Sequence, residues 1–381
     1  MTLTARGTGL LIAGPALLAA GFGFGYRELT VLGCAALLAV GFGVGYAAWR
    51  PRLAVTREAQ PDRVTRGEAS HVTLTVHNSS RVRGATLVAY DRCGATTVAV
   101  PLLRLRPRRD TVAEYPVPTD RRGVVDIGPL RVERRDPLGL ARVARTHGGT
   151  SRVWVYPTVH PLAAVPVGVV RSLDGRIDRV PHGSITFDAL REYVIGDELR
   201  HVHWRTTARV GELMVREHVD TALPRLVVLL DDRAGVQTPD SFEAACEAAA
   251  SIVVAAHRED LPLALHLVSG VAVGGDGRRH TGSRAYLDAL AEASLHEGAQ
   301  LSRATARLRQ RRAGDTLIHL TGPGGRDDLG EIGALRGAYP SILVGILGAD
   351  AVAAPAVADL PALAAADGAD FATEWDGVRS W

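Results

Sequence analysis

The chain has 381 residues, too many for one ordinary core and enough for two domains plus an anchor. All 44 of its Lys+Arg positions are arginine, Asn78 is the one asparagine, and Ala, Gly, Arg and Pro abound; this is the imprint of GC-rich codons, so the arginines are no argument for nucleic acid binding. A formal net charge of only +3 with interleaved acids gives little ground for a nucleic acid partner, and three scattered cysteines (Cys34, Cys93, Cys246) yield no disulfide framework or zinc-ligand spacing and fit a reducing compartment.

Residues 8–26 and 29–49 carry no charge, and only Arg27 and Glu28 separate them. Each is long enough to cross a hydrocarbon core of about 30 Å at about 1.5 Å per residue. Two such segments in tandem predict a transmembrane helical hairpin over residues 1–50 rather than a cleaved leader. The segments repeat each other: ALLAAGFGFGY at 16–26 returns as ALLAVGFGVGY at 36–46. Gly21 with Gly25, and Gly41 with Gly45, have the spacing that lets helix backbones approach closely. Cys34 reads as a small buried hydrophobe. Tyr26, Tyr46 and Trp49 fall where amphipathic rings favour the interface, and Arg6, Arg50, Arg52 and Arg57 put both ends in the cytoplasm. The expected location is the cell membrane, with two spans contacting lipid through residues 8–49 and a cytoplasmic body.

Between about 51 and 160 the pattern changes to short alternating strands. In HVTLTVHN (71–78), Val72, Leu74 and Val76 alternate with His71, Thr73 and Thr75. Similar runs predict an immunoglobulin-like β-sandwich. The basic run RLRPRR at 104–109 reads as a solvated loop. RRGVVDIGPLRVERRDPLGLARV (121–143) places turns at Gly123, Gly128-Pro129 and Asp136–Gly139, closing the sandwich with hairpins.

From 225 to 381 strands and helices alternate. RLVVLLDD (225–232) is an apolar strand ending in acids. The segment 241–259 places Phe242, Ala245, Ala249, Ile252, Val253 and Ala256 on one helical face. Further strands at PLALHLVSG, DTLIHLTG and SILVGIL predict an α/β doubly wound sheet. GVAVGGDGRR (270–279) reads as a hairpin or loop, not a phosphate cradle, and no P-loop or dinucleotide fingerprint occurs.

The segment 161–224 links these bodies and contains REYVIGDELRHVHWR (191–205). Its local reading is a helix over Phe187–Val194, a turn at Gly196, Asp197 as an N-cap, and Trp204 anchored in apolar surface. Arg200, Arg205 and Arg209 would pair with Glu192, Glu198 or Glu217. An ion-paired structural element, a recognition surface and a catalytic site are the three readings. Against the third, His201 and His203 would diverge on a helix, and no serine or cysteine nucleophile is suggested nearby.

Arg191, Tyr193, Gly196, Asp197, Arg200, Val202, Trp204, Ala208, Arg209, Arg216 and Glu217, followed by a strand ending in Asp, resemble the signature of the domain-of-unknown-function 58 family. The hairpin and the 121–140 segment resemble such proteins too. The resemblance implies a C-terminal von Willebrand factor A-like domain over 225–381, no enzymatic activity, no cofactor, and partnership with a MoxR-type AAA+ ATPase. Domains of that type hold Mg²⁺ through Asp-x-Ser-x-Ser, a Thr and a further Asp, oxygen ligands suited to a hard ion. Here the matching positions are Asp231-Asp232-Arg233-Ala234-Gly235 and Thr321-Gly322-Pro323, so Asp231 and Thr321 are kept and the other ligands are gone. The expectation is therefore a degenerate metal site in a membrane-anchored adaptor or assembly factor. The competing expectation is a metal-dependent or hydrolytic enzyme using Asp231 and Asp232.

Overall fold

The computed structural model describes residues 2–48, 53–79, 88–100, 108–165, 188–192, 203–218, 226–274, 282–311, 314–348 and 360–378. These fall into two compact units, Met1–Tyr156 and Pro157–Trp381.

The first unit opens with a two-residue strand, β1 (Thr2–Leu3), and two helices, α1 (Ala5–Phe24) and α2 (Arg27–Ala48). Both helices are long and apolar enough to cross a membrane. Thr4 caps α1 by accepting from the Gly7 amide at 3.2 Å, and Gly25, at φ 73°, ends it. The seam between them differs from the expected one. A Cβ on Gly14 or Gly33 would strike the opposite helix, and Gly21 packs against Thr30, whereas nothing lies near Gly41 or Gly45. Gly33, Ala36, Val40, Gly43 and Ala47 form the buried stripe of α2, spaced by threes and fours as helix packing requires. Cys34 lies off that stripe and is exposed, which corrects its expected burial.

The strands that follow are β2 (Leu53–Gln60), β3 (Arg63–Thr65), β4 (His71–Asn78), β5 (Val88–Cys93), β6 (Thr96–Val100), β7 (Asp110–Pro116), β8 (Gly123–Ile127), β9 (Leu130–Arg135), β10 (Ala141–His147) and β11 (Ser151–Tyr156). They form an eight-stranded sheet ordered β1-β10-β9-β5-β8-β11-β3, with β6 on β5, and a three-stranded sheet β2-β4-β7. Val72, Leu74 and Val76 are fully buried, as their alternation required. They share one core with Ala89, Cys93, Ile127 and Val153 of the larger sheet. Arg57 of the small sheet reaches Asp91 of the large one with Nε–Oδ2 3.1 Å and Nη2–Oδ2 2.8 Å, and Tyr115 donates to the same carboxylate at 2.6 Å. Burial and the Asp91 charge push the Tyr115 hydroxyl well above its ordinary range. Most of the 104–109 run lies outside the described residues.

The second unit contains β12 (Asp188–Glu192), α3 (Trp204–Val210), β13 (Met214–His218), β14 (Leu226–Leu230), α4 (Pro239–Arg258), β15 (Leu263–Leu267), β16 (Ala272–Gly274), α5 (Ser283–Glu292), α6 (Leu301–Arg311), β17 (Thr316–Thr321), α7 (Leu329–Gly333), β18 (Ser341–Leu347), β19 (Ala362–Ala365) and α8 (Gly368–Gly377). The six-stranded sheet runs β16-β15-β14-β17-β18-β19, parallel except for the edge strand β16. Successive residues of β14 feed opposite faces. Leu226, Val228 and Leu230 join Phe242, Ile252, Phe371 and Trp375 on one side. Val227 and Leu229 join Leu301, Leu308, Ile332 and Tyr339 on the other. A parallel sheet covered on both faces explains why its strands read as unbroken apolar runs. All six residues assigned to the α4 face are buried.

One expectation fails outright. Residues 188–192 are strand β12, paired antiparallel with β13 from Asp188↔His218 to Glu192↔Met214, and not part of a helix.

Candidate functional site

Parallel strands β14 and β17 lie side by side with Leu230 opposite Leu320, so Asp231 and Thr321 meet at their carboxyl ends. The chain leaves β14 for β15 on one side and later returns as β17 on the other. Such a reversal opens a crevice at the strand ends, the usual place for a site in a doubly wound sheet.

Asp231 and Asp232 are both fully buried and diverge as neighbours in an extended chain do. Thr321 Oγ1 donates to Asp231 Oδ2 at 2.9 Å. Arg233 curls back onto the same carboxylate, with Nε–Oδ1 2.9 Å and Nη2–Oδ2 2.7 Å, a two-pronged fit that a planar guanidinium makes and an ammonium does not. The Arg233 Nη2 also reaches Asp328 Oδ2 at 2.8 Å. Burial pushes the Asp231 carboxyl up, but Arg233 and the Thr321 hydroxyl outweigh it and hold the group below its ordinary range. The Asp231 and Asp328 carboxylates push the Arg233 guanidinium up, so it is charged throughout. His319, two residues before Thr321, is fully buried; burial lowers its pKa and keeps the ring neutral at neutral pH.

The loops holding this cluster are locked to one another. Gln237 Nε2 donates to the Asp231 carbonyl at 3.0 Å, and its Oε1 accepts from Ser241, whose capping box with Thr238 starts α4. Gly322 sits against Gln237 and the Val236 carbonyl so closely that a Cβ would clash. Asp232 faces the other way: Oδ1 accepts from the Ser269 amide at 2.9 Å, and Oδ2 lies 3.3 Å from His296 Nδ1.

A hard divalent ion requires oxygens free to coordinate it. Here the guanidinium of Arg233 lies on both Asp231 oxygens, and no hydroxyl ligand follows at 233 or 235. The donor set does not fit Mg²⁺. Among the described residues, no group of three or more His, Cys, Asp or Glu side chains is placed to hold a metal. From the sequence, Arg233 counted as a missing ligand and Asp328 was missed; its signal was the acidic pair after the glycine turn, GPGGRDD.

The other signature residues are dispersed. Tyr193, Gly196, Asp197, Arg200 and Val202 lie outside the described residues. The backbones of Arg191, Arg216 and Glu217 form the β12–β13 ladder, with Arg191 opposite Val215 and Leu190 opposite Arg216. Helix α3 is capped by His203, whose Nδ1 accepts from the Thr206 amide at 3.3 Å. It is tied to β13 by the Met214 amide donating to Thr207 Oγ1 at 3.0 Å. Trp204 is 65% exposed, which corrects its expected anchoring in apolar surface. Arg205 and Arg209 on the same helix are exposed as well.

No curated protein matches the chain. Among solved structures, it resembles the CARDB domain of a Pyrococcus furiosus protein in complex with di-metal ions (16% identity, 28% of this chain and 93% of that one, TM-score 0.22). It also resembles the PKD domain of an M14-like peptidase from a Thermoplasmatales archaeon (14% identity, 28% and 98%, TM-score 0.19) and Cwp6 from Clostridium difficile (10% identity, 77% and 36%, TM-score 0.21). Likenesses this slight assign neither fold nor function. The family comparison is specific: residues 189–320 match the model described as "Protein of unknown function DUF58", and that match takes in α3, β13, Asp231 and Arg233 and ends one residue before Thr321. The segment 189–320 thus matches the domain-of-unknown-function 58 family.

Proposed function

We propose that the chain is a membrane-anchored, non-enzymatic adaptor or assembly factor that works with a MoxR-type AAA+ ATPase in maturing protein complexes or the cell envelope. The observation that carries this reading is the exposure of Trp204 beside Arg205 and Arg209 on α3. Exposed Trp and Arg on one short, capped element are what protein-recognition hot spots are made of. The sheet order β16-β15-β14-β17-β18-β19, with its antiparallel edge, supports a von Willebrand factor A-like body, and the two packed sheets support an immunoglobulin-like middle. The guanidinium on Asp231 favours recognition over metal chemistry or hydrolysis.

The test is co-purification from membranes with paired stability measurements. Trp204→Ala changes stability by no more than about 0.5 kcal/mol, as an exposed position should, yet loses the ATPase. Arg209→Ala behaves likewise, and high salt mimics it because screening acts within about 10 Å at 0.1 M. Retention of the ATPase by both variants at wild-type levels would reject the assigned surface.

In this reading α1 and α2 cross the membrane and the body is cytoplasmic. The pairing of β1 with β10 ties the residues before α1 to the same sheet that packs against α2. With Arg6, Arg50, Arg52 and Arg57 marking that shared side as the cytoplasmic one, a reporter fused at the C-terminus is active only as a cytoplasmic reporter. A signal from a reporter that functions only outside the cytoplasm would overturn the orientation.

A further inference from the structure

We infer that the β9–β10 hairpin turn, Asp136–Leu140, is a lipid-contacting element that enters the bilayer interface beside the transmembrane hairpin. This rests on reading α1 and α2 as membrane spans. Three observations place the turn at that depth. Thr4, the cap of α1, donates from its amide to the Leu140 carbonyl at 2.9 Å and from Oγ1 to the Gly139 carbonyl at 2.7 Å, and Gly7 abuts Leu140. On the other helix, a Cβ on Gly43 would lie 3.2 Å from the Asp136 carboxyl carbon. Ala47 shares a small core with Ala141 and Val143.

The level of the headgroups is marked by Tyr46, over whose ring the Arg134 guanidinium sits at 4.4 Å. A tyrosine at the end of an apolar span, with a cation on it, belongs to the aromatic belt. Gly43 is three residues deeper along α2, about 4.5 Å at 1.5 Å per residue. The turn therefore reaches past the belt toward the hydrocarbon.

Its chemistry suits that place. Backbone polar groups entering an apolar phase must be satisfied within the protein. Pro137 has no N–H. Leu138 and Ala141 donate to the two Asp136 carboxylate oxygens at 2.8 and 2.5 Å, and Gly139 donates to the Asp136 carbonyl at 3.0 Å. The Gly139 and Leu140 carbonyls accept from Thr4. Asp136 is thus buried and saturated, while the side chain turned outward is Leu138, 50% exposed. An apolar residue displayed on a turn whose named polar groups are bonded internally, and which meets α2 at Gly43, adds to the lipid-facing surface that exposed Phe42 and Leu38 give the same span.

The test uses the full chain with Cys34→Ser, since Cys93 and Cys246 are buried. Single cysteines at Leu138, Phe42 and Ala95 are labelled with an environment-sensitive fluorophore in phosphatidylcholine–phosphatidylglycerol vesicles, with and without nitroxide-bearing acyl chains. Ala95 is the aqueous control: Val88 pairs with Glu133 and Tyr90 with Arg131, so the turn after Cys93 lies at the opposite end of β5 from the Asp136 turn. The expected result is blue-shifted, quenched emission at Leu138→Cys and Phe42→Cys and solvent-like emission at Ala95→Cys. Quenching at Phe42 with solvent-like emission at 138 overturns the inference and leaves the anchor standing. Absence of quenching at Phe42 overturns the anchor itself, and the inference with it. Pro137→Cys, at an exposed neighbouring position, gives a second report should the Leu138 variant fail to fold.

Discussion

Arg233→Ala is expected to destabilise the C-terminal unit by about 3–5 kcal/mol, the cost of leaving a buried carboxylate without its charged partner. Asp231 has no exposed surface, and its remaining side-chain donor is the Thr321 hydroxyl. Denaturant unfolding of the detergent-solubilised chain reads the loss directly. The pH dependence carries a sign that separates this explanation from simple loss of packing. In the wild type the Asp231 carboxyl is held below its unfolded value, so its contribution is present above about pH 3.9 and is lost as pH falls through the folded pKa. In Arg233→Ala the guanidinium no longer offsets burial, and burial, opposed by the Thr321 hydrogen bond, raises the carboxyl. The proton is then bound more tightly in the folded state, so the deficit is larger at pH 8 than at pH 5. A deficit independent of pH would mean that the guanidinium serves only as packing.

The second large effect is expected at the other end of the chain. Arg57→Ala should cost a similar 3–5 kcal/mol, because Asp91 is fully buried and Arg57 is its charged partner across the two sheets. The guanidinium also donates to the Gly149 carbonyl at 2.6 Å, so truncation frees a second acceptor. Adding Asp91→Asn to Arg57→Met should recover part of the loss, since the buried charge disappears while Tyr115 keeps an oxygen to donate to. No recovery in the double variant would show that the pair acts by shape rather than charge.

These two charge clusters mark where reading the sequence stopped. Helix α4, strands β4 and β14 and the two long apolar helices were legible because one-sided or two-sided burial writes a period into the residues. Arg57 was read only as a flank of the second span. Its pairing with Asp91 joins strands 34 residues apart in different sheets, and no local pattern encodes that. Gly41 and Gly45 matched the small-residue spacing yet face outward, because the seam is set by which face of α2 meets α1 and not by glycine content. At 188–192 the apolar and charged residues fit a helix equally well, and pairing with Met214–His218 decided for a strand. Trp204 was expected in apolar surface because tryptophan is usually buried, but on α3 its side chain is exposed. That positions 233 and 235 carry no hydroxyl was legible, but the guanidinium lying on both Asp231 oxygens was visible only once Thr321 and Asp328 were brought beside it.

The central claim is that the carboxylate at the sheet's switch point is neutralised from within by Arg233 and is not free to hold a divalent ion. Thermal unfolding of the wild-type chain with increasing Mg²⁺ or Mn²⁺ tests it most directly. An ion bound only by the folded state at 100 times its Kd would add about 2.7 kcal/mol. The account predicts no rise in melting temperature at millimolar Mg²⁺ or Mn²⁺, with Asp231→Ala equally unresponsive. A clear rise in the wild type that vanishes in Asp231→Ala would contradict it.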